Sequence, residues 1–219
     1  MKHEKMKKLT VLAMLSAIAY VAVALLRFPV VLFLSYEPKD VVIAIGGFLY
    51  GPLAALGISL VVSFIEMLTI SSTGWIGFLM NFLSSAAFAG TAALLYRKKR
   101  TQGSAIAGLF GGALLMTVLM LLWNYLITPI YMGMDREEIV VPMLIPVFLP
   151  FNLVKGGLNM ALILLLYKPV VTALRKARLV PESHAPVEGK GKLSAGFLLF
   201  SLALLATFVV LALVLMGIL

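Results

Sequence analysis

The chain has 219 residues, 62% apolar and 12% charged, with a net charge of +9 and no cysteine. Soluble domains carry about 45–50% apolar and about 25% charged residues, so a chain with mean hydropathy +1.09 belongs in a bilayer. That excludes a soluble enzyme, a nucleic-acid module and a disordered tail, and the missing thiols exclude disulfides, thiolate metal sites and iron-sulfur clusters. The histidines, His3 and His184, sit in polar tails, which argues against haem and redox metals.

A basic tail, residues 1–8, carries Lys2, Lys5, Lys7 and Lys8. A bilayer core of about 30 Å needs about 20 apolar residues, and Leu9 to Leu26 supplies the first such run. A signal peptide has the same layout, and Ala22 to Ala24 resembles a cleavage site, but the run exceeds a usual signal core and reads as an uncleaved span. Arg27 to Asp40, with Phe28, Val31, Leu32, Phe33, Leu34 and Tyr36, is too apolar for a solvated connection and too irregular for a span, and reads as a lid. Val41 to Ile70 is too long for one upright helix and is broken by Gly51-Pro52.

Further spans are expected at Trp75 to Tyr96, Ala105 to Ile130, and Pro146 or Pro150 to Tyr167. Between the last two, Met132 to Ile145 reads as a solvated outer loop with an Asp135 to Glu138 capping box in preference to a metal site. The division that follows is a membrane domain over 9–168, a cytoplasmic linker over 169–192 and one more transmembrane helix over 193–219.

Lys and Arg collect in cytoplasmic loops, and this decides how often Val41 to Ile70 crosses. Two crossings, the first short, put the N-terminal lysines and Arg97, Lys98, Lys99 and Arg100 on one side. Lys168, Arg175, Lys176, Arg178, Lys190 and Lys192 join them, leaving only Arg27, Lys39, Arg136 and Lys155 for the outer half. The expected fold is an all-α integral membrane protein with an N-in bundle of six spans and a seventh C-terminal helix.

Polar side chains inside spans are costly and mostly face a protein interior or a cavity. Asn152, Lys155 and Asn159 recur at spacings of three and four, as do Asn124, Thr128 and Tyr131. Asn81, Ser84 and Ser85 follow on the fourth span and Glu66 on the third; all but Ser84 and Ser85 fall in the outward half. Interhelical hydrogen bonding would explain any one of them, but convergence from three helices points to a binding cavity. Small residues recur at Ala13 and Ala17, Ala86 and Gly90, and Gly108 and Gly112, a spacing that lets helices approach closely. No HExxH, P-loop or mid-membrane aspartate cluster is present, so energy from ATP would have to come from another subunit.

The segments Pro38 to Gly57 (PKDVVIAIGGFLYGPLAALG), Met80 to Ser85 (MNFLSS), Asn124 to Tyr131 (NYLITPIY) and Leu149 to Gly156 (LPFNLVKG) resemble the substrate-binding S components of energy-coupling factor (ECF) vitamin transporters, within them the riboflavin-specific members. The resemblance covers roughly Lys7 to Pro169. It implies a six-helix S-component fold in the plasma membrane of a prokaryote, no catalysis, and riboflavin as transported ligand without a resident cofactor. Asn124, Asn152 and Lys155 are implied to hydrogen-bond the flavin, with Asn81 contributing; Thr128 beside Asn124 and Tyr36 on the lid complete the expected binding set. Ala13 and Ala17 are implied to meet a transmembrane coupling subunit, which joins two cytoplasmic ATPases. Glu66 and the seventh segment depart from the family pattern, and Glu66 reads either as a different ligand preference or as a partner for Lys155. An S component for another small vitamin, a stand-alone proton-coupled carrier with Glu66 as coupling acid, and a purely structural membrane protein remain the alternatives.

Overall fold

A computed structural model describes residues 2–133, 135–177, 179–180 and 194–219. Helix α1 (Lys2–Leu26) leads into an antiparallel hairpin, β1 (Phe28–Val31) and β2 (Leu34–Tyr36). Helices α2 (Lys39–Tyr50), α3 (Pro52–Thr69), α4 (Gly74–Lys99), α5 (Gln102–Leu126), the short α6 (Thr128–Met132), α7 (Arg136–Lys176) and α8 (Ala195–Leu215) follow. All but α2 and α6 are long and apolar enough to cross a membrane. The fold is the expected all-α membrane bundle with an additional C-terminal helix.

The 12 residues of α2 span about 18 Å at about 1.5 Å per residue, less than a bilayer core. It forms the short arm of a helical hairpin whose turn is Gly51, at φ 93, followed by Pro52 in the first turn of α3. A side chain at position 51 would be strained there, and proline at a helix start gives up a hydrogen bond the helix does not need. Successive helices run antiparallel, so the bundle has two distinct ends. One gathers the β-hairpin, the 70–73 turn and α6. The other gathers the N-terminal lysines, the Gly51 turn and Arg97 to Arg100, with the Lys8 ammonium 5.7 Å above the Tyr50 ring.

The structure adds detail to two expectations and corrects two. The lid is a two-stranded hairpin with Phe28 opposite Tyr36 and Val31 opposite Leu34. The basic tail is already helical from Lys2, because lysine is a good helix former and the apolar run behind it propagates the turn. The Asp135 region is no loop: Asp135 caps it by accepting the Glu138 amide at 2.7 Å, and α7 then runs unbroken from Arg136 to Lys176. Its prolines, Pro142, Pro146 and Pro150, fall at intervals of four on one side, and the helix accommodates the missing donors by widening to π turns over Arg136–Val140 and Leu144–Phe148. The same helix passes Pro169, so the expected linker is helical as far as Lys176. Arg178, Lys190, Lys192 and His184 lie outside the described residues, as does the side chain of His3.

Lipid tails are as apolar as leucine, so helices in a bilayer hold together by close packing and internal polar contacts. The main core joins Val11, Leu15 and Ala19 of α1 to Ile43, Ile58, Phe88, Leu109, Met116 and Ile163. A close approach is made where α5 meets α4. A Cβ at Gly108 would lie 2.7 Å from the Ala92 carbonyl oxygen, and one at Gly112 would collide with that of Phe88. Phe88 sits in a π-helical stretch of α4, Ala86–Gly90. Gly112→Val should therefore lower the unfolding temperature in detergent, at a cost of about 1–3 kcal/mol from forced separation of α4 and α5. Gly103→Ala, where a Cβ meets nothing within 4 Å, should leave it unchanged or slightly raised.

Candidate functional site

The first turn of α2 places two opposite charges side by side in the bundle interior. Lys39 is 1% exposed and Asp40 0%. Neighbouring residues on a helix point about 100° apart, so the two reach different partners. The Lys39 Nζ lies 2.7 Å from Glu37 Oε2 and 2.6 Å from Glu66 Oε2, and Asn81 Nδ2 donates to the same Glu66 oxygen at 2.8 Å. Arg27 Nε is 3.4 Å from the other oxygen of Glu37. Burial pushes the Glu37 carboxyl up, but Lys39, Lys155 and Arg27 around it hold it below its ordinary range, so it is charged at neutral pH.

Asp40 gathers the second network. Its Oδ1 accepts from Ser85 Oγ at 2.5 Å and its Oδ2 from Asn159 Nδ2 at 3.2 Å, with Lys155 Nζ 3.6 Å away. Lys155 also donates to Ser84 Oγ at 3.3 Å, and the Tyr36 hydroxyl donates to Asn159 Oδ1 at 2.8 Å. The hairpin is thus tied down at Tyr36 and, one residue on, at Glu37.

Between these networks and the hairpin lies a cavity of about 220 Å³. Asn81, Asn124, Thr128, Asn152 and Lys155 line it, as do Arg27, Glu37, Glu66 and Ser84. Trp123, Phe33, Phe151, Met80 and Met120 supply apolar wall. Asn124 donates to the Met120 carbonyl at 2.7 Å and accepts from Thr128 at 2.9 Å, while Asn152 donates to the Phe148 carbonyl at 2.8 Å. One amide hydrogen of each asparagine thereby fixes its rotamer; Asn152 keeps its other N–H and its carbonyl oxygen for a ligand, and Asn124 its other N–H and one oxygen lone pair.

Of the expected binding residues, Tyr36 alone is not at the cavity wall; its hydroxyl reaches past it to Asn159. The expected pairing of Glu66 with Lys155 is corrected: Glu66 takes Lys39 and Asn81, and Lys155 goes to Asp40 and Ser84. Ser84 and Ser85, set apart from the outward half in the sequence, belong with these networks and Ser84 lines the cavity. Sequence reasoning missed Glu37, Lys39 and Asp40 as site residues. The available signal was the charge-dense EPKD at the mouth of an apolar run, which reads equally well as a solvated loop. Ala13 and Ala17 are exposed on α1 and do not line the cavity.

Membrane-length helices closed around a capped cavity, with balanced charges behind its wall, make up a membrane-embedded solute-binding subunit. The profile of the family described as "ECF transporter, substrate-specific component" matches residues 7–170. The riboflavin transporter RibU of Staphylococcus aureus (strain TCH60) is 30% identical over 179 residues, which cover 78% of this chain and 93% of that protein. The riboflavin transporter FmnP of Bacillus subtilis (strain 168) is 30% identical over 189 residues, covering 80% and 99%. A solved structure of the S component of a bacterial ECF transporter superposes with a TM-score of 0.67 at 31% identity, over 78% of this chain and 99% of that one. The chain belongs to the substrate-specific components of ECF transporters: a multi-pass membrane transport subunit and not an enzyme.

Removing one member of a buried ion cluster strands its partners at a cost of about 3–5 kcal/mol, whereas removing an opposed pair is far milder. Lys39→Met should accordingly cause a large drop in thermal stability in detergent. Adding Glu66→Gln to that variant should restore part of it, read as the shift in unfolding temperature of single and double variants.

Proposed function

We propose that the cavity binds riboflavin and that this chain is the riboflavin-binding subunit of an ECF transporter. The observation that carries the reading is the convergence of Asn81, Asn124, Asn152 and Lys155, from three helices, on one cavity with aromatic and methionine walls. An isoalloxazine ring is flat and apolar with carbonyls and nitrogens at its edge, and the ribityl chain is a row of hydroxyls; amides and an ammonium suit both. Charge argues the same way. Arg27, Lys39 and Lys155 oppose Glu37, Asp40 and Glu66, so the surroundings are balanced and favour an uncharged ligand over a cationic or anionic vitamin. The names of the relatives support the choice of flavin.

The partners we infer are a transmembrane coupling subunit, meeting α1 at Ala13 and Ala17, and two cytoplasmic ATPases. Their support is the exposure of both alanines and the absence of a P-loop in this chain. For orientation, we place the N-terminus in the cytoplasm and the capped end outside, because the basic residues gather at the end away from the hairpin. A single cysteine introduced as Thr101→Cys should resist an impermeant maleimide added to intact cells and react after permeabilisation; labelling from outside would reverse the orientation.

The binding reading predicts a yellow ligand with quenched flavin fluorescence in the protein purified in detergent. Lys155→Ala should weaken riboflavin binding about tenfold or more, a hydrogen bond to a charged group being worth about 1.5–3 kcal/mol, and Asn152→Ala should weaken it by several-fold, a neutral hydrogen bond being worth about 0.5–1.5 kcal/mol. Ala13→Trp and Ala17→Trp should keep riboflavin binding by the isolated protein and lose uptake in cells. A tightly bound ligand of different absorbance would replace riboflavin by another vitamin, and loss of binding in the alanine-to-tryptophan variants would return that face to internal packing.

A further inference from the structure

The hairpin over the cavity is weak by itself. Its strands have four and three residues, their register is interrupted between Pro29 and Val31, and Leu32 at the tip has φ 50, a strained conformation for a branched side chain. A two-stranded ribbon of this length needs a surface to lie on. Part of that surface is α7, whose Phe148, Phe151, Val154 and Leu158 meet Val30, Leu34 and Tyr36.

The rest of the surface is α8, which lies beyond the family-matched segment 7–170. It packs along α7 and reaches β1. Ala212 is buried in the cluster under the hairpin, and Leu205, Phe208 and Leu215 pack against it. The Phe208 ring is seated on Gly157, where any Cβ would collide with three ring carbons. Gly157 is two residues from Lys155 and two from Asn159, about 200° round the helix from each, so α7 turns one face to the cavity and the opposite face to α8. The hydroxyls of Ser201 and Thr207 bond within α8, to the carbonyls of Phe197 and Ala203, so these two add no polar tie to α7 or the hairpin.

We propose that α8 braces the cap: seated on Gly157 through Phe208 and reaching β1, it holds the hairpin over the cavity and slows the escape of ligand. The proposal rests on reading the cavity as the ligand site. Phe208 is a positioning residue, acting through α7 and the hairpin without touching ligand. Because the seat is apolar and leaves no buried charge when opened, its loss loosens the cap without exposing an unpaired ion.

The test uses the full chain with single cysteines, which the natural sequence permits. Val30→Cys reports on the cap and Ala19→Cys, in the main core, on the bundle. In Phe208→Ala and Gly157→Val backgrounds, maleimide labelling at position 30 should quicken about tenfold while labelling at position 19 stays unchanged. In stopped flow, riboflavin dissociation should quicken about tenfold with association altered about twofold or less, since changes of this kind act mostly on the off-rate. Phe208→Leu should behave nearly as the parent. Unchanged labelling at position 30 in both backgrounds overturns the brace, and this arm reads out even if the parent chain binds no riboflavin, a result that would count against the flavin assignment alone. Equal acceleration at positions 19 and 30, or faster labelling with unaltered riboflavin dissociation, also overturns it.

Discussion

The adjacent pair Lys39 and Asp40 is the point from which the rest of the site is hung. A lone charge in a membrane-embedded bundle costs several kcal/mol, so neither side chain is tolerable without its partners. Lys39 finds them on the hairpin exit (Glu37) and on α3 (Glu66), and Asp40 on α4 (Ser85) and α7 (Asn159, Lys155). One turn of α2 therefore links the cap and three other helices. The networks form only when every element is in its native place, and they convert a loosely specified apolar bundle into a single arrangement. They also leave little freedom to the cap, since Tyr36 and Glu37 are held by different networks.

The spans were legible because their signal is local. A bilayer demands uninterrupted apolar length, and Gly51-Pro52 is a turn on its own chemistry whatever surrounds it. The stripe of Asn152, Lys155 and Asn159 was legible for the same reason, a helical period within eight residues. Lys39 and Asp40 were not, because their meaning lies in partners remote along the chain: Glu66 is 27 positions from Lys39, and Asn159 is 119 from Asp40. With six ions and several amides in the site, sequence alone does not fix which carboxylate Lys155 takes, Glu66 or Asp40. Depth decides between them, and depth is a tertiary property.

The Asp135 region failed for a different reason. Three prolines and an acidic run have the composition of a loop, and in isolation each proline costs a helix about 3 kcal/mol. Here they are spaced by one turn, so the lost donors fall along one edge, and π turns re-pair the remaining backbone. Helix neighbours supply what local propensity withholds: Phe148 is buried under the hairpin, and Val140 is fully buried about two turns further out.

The division of faces on α7 explains how an additional helix can be accommodated without disturbing the cavity. Residues at intervals of three and four, Asn152, Lys155 and Asn159, point inward, and Gly157 breaks the outward surface with a flat patch of backbone. Phe208 fills that patch, whereas a larger residue at position 157 would hold α8 off the bundle. The ring touches the turn of helix that carries the Lys155 backbone but stands on the side away from its ammonium. A helix appended beyond the family-matched segment can thus bear on the stiffness of the cap, through α7 and β1, while the chemical identity of the cavity wall stays that of the matched segment.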